Sequence, residues 1–412
     1  AGLRRKQFLV ILNDNEMSIS PNVGAINSYL TRLVTNPLYN RIRDEIWSLT
    51  GSLPLGKDIT RKFIRKSEES LKNMLVPGIL FEELGFRYFG PIDGHNLKEI
   101  VHTLKSLKTL KTPALLHILT KKGKGMVSMN IENRKYHDDA VKLHAVKPNG
   151  KKQSKIEKVD HHSSTPVFQD VFGKLSCEIA KNRKDTVCIT AAMKEGTGLV
   201  EYSKEFPDRF FDVGIAEAHA VTFAAGLATE KVRPIVAIYS TFLQRAYDQI
   251  IHDVALQHLP VIFCMDRAGI AGEDGPTHHG ALDIAYLRCI QDMIVTAPKD
   301  GNEFRHLLYT ALEQNDRPFG IRYPKSSSIQ FDENGQAELL PIGSWETLKT
   351  GNDIAILAVG SMVYPALMAA SQLERLDISC EVINCRFIKP LDLQILTNLA
   401  MRFTSFLVVE EG

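Results

Sequence analysis

Apolar runs of five to seven residues, each closed by turn-forming residues, alternate along the chain with longer stretches whose apolar positions recur at spacings of three and four. Short continuous apolar runs predict strands buried on both faces, and the longer stretches predict amphipathic helices. Their alternation is the rhythm of an α/β fold built on parallel sheets. The pattern predicts strands over 8–13, 115–120, 186–190, 235–239, 261–265, 293–297, 319–323, 353–359, 380–384 and 406–410. It predicts helices over 167–181, 217–228, 242–256, 301–312, 365–376 and 392–399.

Two polar stretches interrupt this rhythm. Residues 146–165 are Lys-rich and almost without large apolar side chains, and 330–351 is polar with three glycines. Both read as connections between folded pieces. The expected organisation is a first piece over 1–150, a middle domain over 163–330 and a C-terminal piece over 345–412. The opening AGLRRKQFLVILNDNE passes directly from basic residues into a strand, unlike a secretory leader, and the close at SFLVVEEG is as abrupt. We expect the chain to start and stop inside domains.

Composition narrows the function classes. The 412 residues carry 50 Lys and Arg against 48 Asp and Glu, and this balance gives no electrostatic case for nucleic acid or an anionic membrane as partner. No apolar run approaches the ~18–20 residues that span a bilayer. The six cysteines form no CxxC pair and lie mostly in apolar runs, which predicts buried reduced thiols and a reducing compartment.

Five segments hold candidate chemistry. In LNDNEMSIS, after the first strand, the Asn15 side chain and the Met17 carbonyl suit a hard cation, or the segment is an Asx turn leading into a helix. Glu217 opens a nearly all-apolar helix, where desolvation raises proton affinity for acid–base work, or where the acid complements the helix dipole. In IYSTFLQRAYDQ, Ser240 or Thr241 is placed to cap a helix. Phe242 and Arg245 would then be neighbours on one face, Phe242 either stacking on a flat heterocycle or packing as core. The loop DRAGIAGEDGPTHHG gathers Arg267, Asp274, His278 and His279 among glycines, an anion clamp with titratable groups or, less well supported by ligand spacing, a zinc site. Arg322, inside the run FGIRY, requires either a buried ion pair or a phosphate.

Taken together, LNDNEMSIS, LFEELGFRYFGPIDGH, KKGKG, FPDRFFDVGIAEAHAVTFAAGLA, IYSTFLQRAYDQ, DRAGIAGEDGPTHHGALDIAYLRCI and IRYPK resemble the signatures of the 1-deoxy-D-xylulose-5-phosphate synthases, thiamine-diphosphate enzymes of the transketolase-like superfamily. The resemblance implies transketolase-like α/β domains, thiamine diphosphate and Mg²⁺ as cofactors, pyruvate and D-glyceraldehyde 3-phosphate as substrates, and a homodimer in a bacterial cytoplasm or plastid stroma. It assigns Asn15 and Met17 to the metal and cofactor, Met126 and Phe242 to the cofactor, and Glu217 to a pyrimidine ring nitrogen. Tyr239, Arg245, Arg267 and Arg322 fall to substrate binding, and His144, Asp274 and His278 to the substrate cavity, with His278 a proton donor. The family usually carries Gln at Ala218, Tyr at Met126, Gln at His279 and Arg at Lys325. Its GDG metal motif does not occur in the sequence, so the Mg²⁺–diphosphate site is expected to be incomplete. Three readings follow: the family's decarboxylative condensation, a related ketol transferase or dehydrogenase component, or an inactive core fragment or degenerate paralogue.

Overall fold

The continuous apolar run of LVILND makes a strand, and Leu9–Asp14 is β1 of the computed structural model, which describes residues 8–15, 17, 79–122, 124 and 166–411. The chain divides into two units, 1–152 and 153–412. The polar stretch 146–165 lies outside the described residues.

In the first unit, β1 is followed by α1 (Ile79–Glu83), β2 (Arg87–Asp93), α2 (Leu97–Leu107) and β3 (Ala114–Leu119). The sheet order is β1-β3-β2, all parallel. Neither β2 nor α2 is predicted by periodicity. In β2, Gly90 and Pro91 punctuate an otherwise apolar run, and the ladder absorbs them in a register shift between Phe89 and Ile92. Helix α2 announces itself instead at its cap, where the Asn96 side chain accepts from the Glu99 backbone N–H at 3.3 Å.

The second unit opens with α3 (Phe168–Asn182), whose Phe168, Val171, Phe172, Leu175 and Ile179 bury one stripe. Then follow β4 (Thr186–Thr190), α4 (Val200–Glu205), β5 (Phe210–Asp212), α5 (Glu217–Thr229), β6 (Arg233–Tyr239), α6 (Ser240–Leu243), β7 (Ile262–Asp266), α7 (Asp283–Arg288), β8 (Ile294–Thr296), α8 (Gly301–Glu313) and β9 (Phe319–Arg322). Strands β8-β9-β7-β6-β4-β5 run parallel in that order; the apolar runs predict all of these strands except β5, whose three residues are too few to show a run. Their core joins α3 to α8 through Phe172, Phe304 and Tyr323, with ring centroids 6.1 Å apart for the first two and 4.7 Å for the last two.

The single helix predicted over 242–256 is a succession of short pieces. After α6 come a 3₁₀ turn (Gln244–Ala246), an α turn (Tyr247–Gln249), a π turn (Ile250–Val254) and a second 3₁₀ turn (Ala255–Gln257). Buried Leu243, Ala246, Ile250 and Val254 keep helical spacing throughout. Periodicity records which side faces the core and is blind to whether the backbone bonds at three, four or five residues.

A second sheet follows within the same unit: β10 (Glu346–Lys349), β11 (Ile354–Ala358), α9 (Val363–Leu373), β12 (Cys380–Asn384), β13 (Phe387–Lys389), α10 (Leu393–Arg402) and β14 (Phe406–Val409), ordered β10-β12-β11-β14. Strand β13 leaves that sheet and pairs antiparallel with β8, completing a seven-stranded sheet. Its three residues precede Pro390 and carry no periodicity to read. All six cysteines are unpaired; Cys188, Cys264, Cys380 and Cys385 are buried as expected, whereas Cys289 is exposed beyond the end of α7. Among the described residues no helix is long and apolar enough to cross a membrane.

Candidate active site

The polar side chains singled out in the second unit come from strand ends and the segments that follow them. Parallel α/β sheets place ligand-binding groups at the carboxyl ends of their strands, where backbone groups are free and helices begin.

Strand β6 delivers Tyr239 buried, with extended backbone, directly before α6. The cap predicted from Ser240 or Thr241 does not form: α6 begins at Ser240 with no side-chain cap bond, and the Ser240 hydroxyl is buried without a partner. Tyr239 itself takes the N-cap position, which puts Ser240 and Thr241 inside the first turn, where their hydroxyls cannot serve as the cap. A Cβ on Gly280 would lie 2.4 Å from Ser240 Oγ, so only glycine lets the loop backbone pass this close. Phe242, half-buried, stacks on Tyr239 with centroids 5.7 Å apart and an interplanar angle of 11°. The expected neighbour relation of Phe242 and Arg245 holds, the guanidinium carbon lying 5.6 Å from the ring centroid.

Glu217 is the first residue of α5, where Ala216 supplies no side-chain cap. Its side chain is 5% exposed, on a helix otherwise buried through Ala220, Val221, Ala224, Ala225 and Ala228. Both oxygens accept from Arg245 Nη1, at 3.1 and 3.3 Å. Arg245 itself is 58% exposed. A buried carboxylate thus has as its hydrogen-bond partner a side chain that solvent can reach, and that also touches the Phe242 face.

Strand β7 delivers Arg267, whose φ of 57° lies in the left-handed region that costs a non-glycine residue about 1–2 kcal/mol. Its guanidinium carbon sits 3.9 Å from the Tyr239 centroid. Nε donates to Asp274 at 3.1 Å, and Nη1 donates to the Gly196 carbonyl at 3.1 Å and lies 3.1 Å from Asp266 Oδ1. Gly196 is required there, since a Cβ would fall 2.1 Å from the Tyr239 hydroxyl. Asp274 also accepts from Lys325 Nζ at 2.6 Å. Partial burial works to raise the Asp274 carboxyl, but the hydrogen bonds from Lys325 and Arg267 outweigh it and hold it below the usual carboxylate range.

The loop's neck is closed by Gly269 and Gly280, which exchange backbone hydrogen bonds of 3.0 and 2.7 Å. His279 accepts from the Ala271 N–H at 3.0 Å and so serves the loop itself. His278 presents its edge to Tyr239 and Phe242, with centroids 6.4 and 5.3 Å apart. Among the described residues no group of three or more His, Cys, Asp or Glu could hold a metal, so the zinc alternative has no ligand set here.

Arg322 takes the ion-pair alternative. Buried on β9, it donates through Nε to buried Asp283 at 3.0 Å and through Nη2 to the Glu411 carbonyl at 2.8 Å.

In the first unit, Asn15 Oδ1 accepts from the Met17 N–H at 3.0 Å, which is the Asx-turn alternative. The acid of that motif turns inward: Asp14 lies 3.2 Å from Nε2 of fully buried His117, whose Nδ1 is 2.7 Å from the Tyr88 hydroxyl. Met126 and His144 lie outside the described residues.

The buried carboxylate of Glu217, with an exposed and movable partner and the Phe242 face beside it, fits the aminopyrimidine end of thiamine diphosphate. For Mg²⁺, the described donors are the Asn15 side chain, already engaged, and the Met17 carbonyl; no acidic ligand joins them, and this set does not fit a complete magnesium site. Sequence reading missed Asp266, Gly196, Asp283 and Glu411. For Asp266 a signal existed, a lone acid closing the apolar run IFCM.

Three family models match successive parts of the chain: 1-deoxy-D-xylulose-5-phosphate synthase over residues 1–120, the pyrimidine-binding domain of transketolase over 164–329 and the transketolase C-terminal domain over 343–412. The 1-deoxy-D-xylulose-5-phosphate synthase of Aquifex aeolicus is 50% identical over 413 aligned positions, covering 100% of this chain and 63% of that protein. That of Syntrophus aciditrophicus is 47% identical over 412, covering 100% and 62%. The chain therefore spans less than two thirds of the length of these relatives. Among solved structures, an inactive β4 tetramer of a split-gene transketolase superposes with a TM-score of 0.54 at 28% identity, covering 60% of this chain and 80% of that one.

Proposed function

Because the chain belongs to the 1-deoxy-D-xylulose-5-phosphate synthase family of transketolase-like proteins, we propose that it serves the decarboxylative condensation of pyruvate with D-glyceraldehyde 3-phosphate, giving 1-deoxy-D-xylulose 5-phosphate and CO₂. The observation that carries this reading is the pairing, around the strand ends of one sheet, of a buried acid joined through Arg245 to an aromatic face (Glu217, Phe242) with an arginine clamped over a tyrosine (Arg267, Tyr239).

Thiamine diphosphate, when bound, supplies the nucleophilic carbon and the electron sink that decarboxylation needs. The chain supplies orientation and proton affinity. Glu217 would hold a proton at a pyrimidine ring nitrogen in place of its Arg245 contact, and Phe242 would offer a face to the ring. Burial of Glu217 makes that hydrogen bond stronger than one in water. Arg267, backed by Tyr239 and Asp274, binds the phosphate of the aldehyde; Arg322 joins it if the Glu411 carbonyl yields. His278, its edge against both aromatic rings, is placed to give a proton to the aldehyde oxygen as it becomes an alkoxide. Family resemblance further assigns Asn15, Met17 and Met126 to the cofactor and His144 to the substrate cavity. The same reading includes pieces at 1–150, 163–330 and 345–412, a homodimer, and a bacterial cytoplasm or plastid stroma, all resting on family membership.

The test is release of CO₂ from carboxyl-labelled pyruvate, with thiamine diphosphate and Mg²⁺ present, by a polypeptide carrying this chain. Release that depends on glyceraldehyde 3-phosphate and yields deoxyxylulose phosphate is the expected result. Two-carbon transfer between sugar phosphates, with pyruvate untouched, would overturn it.

A further inference from the structure

Asp266 closes β7, and the four residues before it, Ile262 to Met265, are apolar and buried. Its carboxylate is wholly buried; no well-aligned hydrogen bond reaches either oxygen, and the Arg267 backbone N–H and guanidinium are the donors beside it. The nearest cation is Arg267 Nη1, 3.1 Å from Oδ1, which gives one of its two hydrogens to the Gly196 carbonyl. A buried carboxylate whose one cationic neighbour is shared in this way costs several kcal/mol to keep charged, unless it sheds the charge by taking a proton.

Groups from every neighbouring element face this position. Tyr239 comes from β6 and Tyr323 from β9, its hydroxyl also buried without a partner; Lys325 follows β9, Asp274 comes from the 267–280 loop, and Glu195 acts on Tyr239 from the segment after β4. Arg267 and Lys325 bring two positive charges, and Asp274 and Glu273, the latter 3.7 Å from Lys325, bring two negative ones. Ionised, Asp266 sets a negative charge directly beside the guanidinium and is hostile to a dianion; neutral, it removes that charge. Burial pushes the Asp266 carboxyl up to about 7, against the pull of Arg267 and Lys325. Of the guanidinium nitrogens, Nη2 makes no hydrogen bond among the described residues and is the one left for a ligand.

We propose that Asp266 is a positioning residue for Arg267: its ionised form neutralises the guanidinium, its protonated form releases it to an anion, and dianion binding in this pocket therefore takes up a proton from solvent onto Asp266. The proposal rests on the reading of Arg267 and Tyr239 as an anion site, and it deepens that reading by making phosphate recognition proton-linked.

Inorganic sulfate is the probe, because it stays a dianion across the pH range. Calorimetric titration of the whole chain at pH 6, 7 and 8, in two buffers of different ionisation enthalpy, reads affinity and proton uptake together. A carboxyl near 7 is about nine-tenths protonated at pH 6 and one-tenth at pH 8, so sulfate affinity is expected to fall about tenfold over that range, with about half a proton taken up at pH 7. Asp266→Asn should hold the pH 6 affinity throughout and take up no proton; Arg267→Ala should bind weakly at every pH. A wild-type profile that is flat, or a slope that survives in Asp266→Asn and so belongs to His278 or another group, overturns the proton linkage alone. Sulfate binding that ignores Arg267→Ala, or is absent in the wild type, overturns the anion site itself. If Asp266→Asn does not fold, the two-buffer measurement on the unmodified chain still overturns the linkage when it shows no proton uptake.

Discussion

Arg267 lies back across the ring of Tyr239, its guanidinium carbon 3.9 Å from the centroid, because the two residues leave adjacent strands one position out of step. Tyr239 pairs with Asp266 in the parallel ladder of β6 and β7, so Arg267 is the first residue beyond it. An extended φ would carry Arg267 on along the strand direction; its left-handed φ of 57° turns it over the neighbouring tyrosine instead. The aromatic face and the Asp274 carboxylate then hold one orientation of the guanidinium fork, which suits a phosphate.

A cation–π contact of this kind is worth about 0.5–2 kcal/mol, or roughly two- to thirtyfold in an equilibrium constant. Tyr239→Leu is accordingly expected to raise KM for the phosphate-bearing aldehyde about tenfold with little change in KM for pyruvate. Tyr239→Phe keeps the ring face and should stay within about twofold of wild type, a factor set by the low end of the same range. Equal effects of the two substitutions on both substrates would show that the ring merely fills space.

Glu217→Gln keeps the volume of the buried side chain and an oxygen to accept from Arg245, and removes its ability to trade a proton. If the acid does proton work, kcat should fall about a hundred- to ten-thousandfold, the usual worth of a general acid–base group. The urea midpoint should move little, because packing and the Arg245 contact persist. Turnover that survives the substitution would sink the assignment.

What the sequence makes legible here, and what it hides, follows from the range over which each feature acts. Strands β4, β6, β7 and β9 are buried on both faces, so their residues are apolar in succession and plain to read. Strand β2 is hidden by Gly90 and Pro91, which suit a bulge yet read as a turn, and β13 is too short to show a period. Within the site, Glu217, Phe242 and Arg267 stand out because a polar or aromatic residue follows directly on an apolar strand or opens an apolar helix. Their partners are not local. The carbonyl that takes Arg267 is 71 residues away at Gly196, and the one that takes Arg322 is 89 residues away at Glu411, distances at which no spacing rule operates. The failed cap at Ser240 is instead a local matter of one residue, since the helix starts at Ser240 and leaves Tyr239 in the cap position.

Arg322 and Asp283 are both buried and bonded at 3.0 Å, so removing one strands the other. Arg322→Met should cost about 3–5 kcal/mol of stability, the penalty of an uncompensated buried charge. Adding Asp283→Leu to it should restore most of that loss, because a buried pair replaced by apolar side chains is close to neutral. Urea melts of the single and double variants measure both. A loss below about 1 kcal/mol for Arg322→Met would place the arginine among surface-like pairs and free it for a ligand role.

Stability should also carry the signature of Asp266. Its carboxyl is raised to about 7 by burial, whereas in the unfolded chain it titrates in the ordinary range near 4. Between those values the folded protein holds a proton that the unfolded chain has released, so stability falls as pH rises across this window. The contribution is complete below about pH 4 and gone once pH has passed through 7. Asp266→Asn has no proton to lose at this position. Measured in urea at pH 5 and pH 8 with an unchanged m value, the wild-type midpoint should drop more than that of Asp266→Asn, and the difference between the two isolates this carboxyl from every other titrating group. Parallel drops in the two proteins would mean that Asp266 is ionised throughout, held by Arg267 as a permanent ion pair, and that the charge of the pocket does not respond to pH.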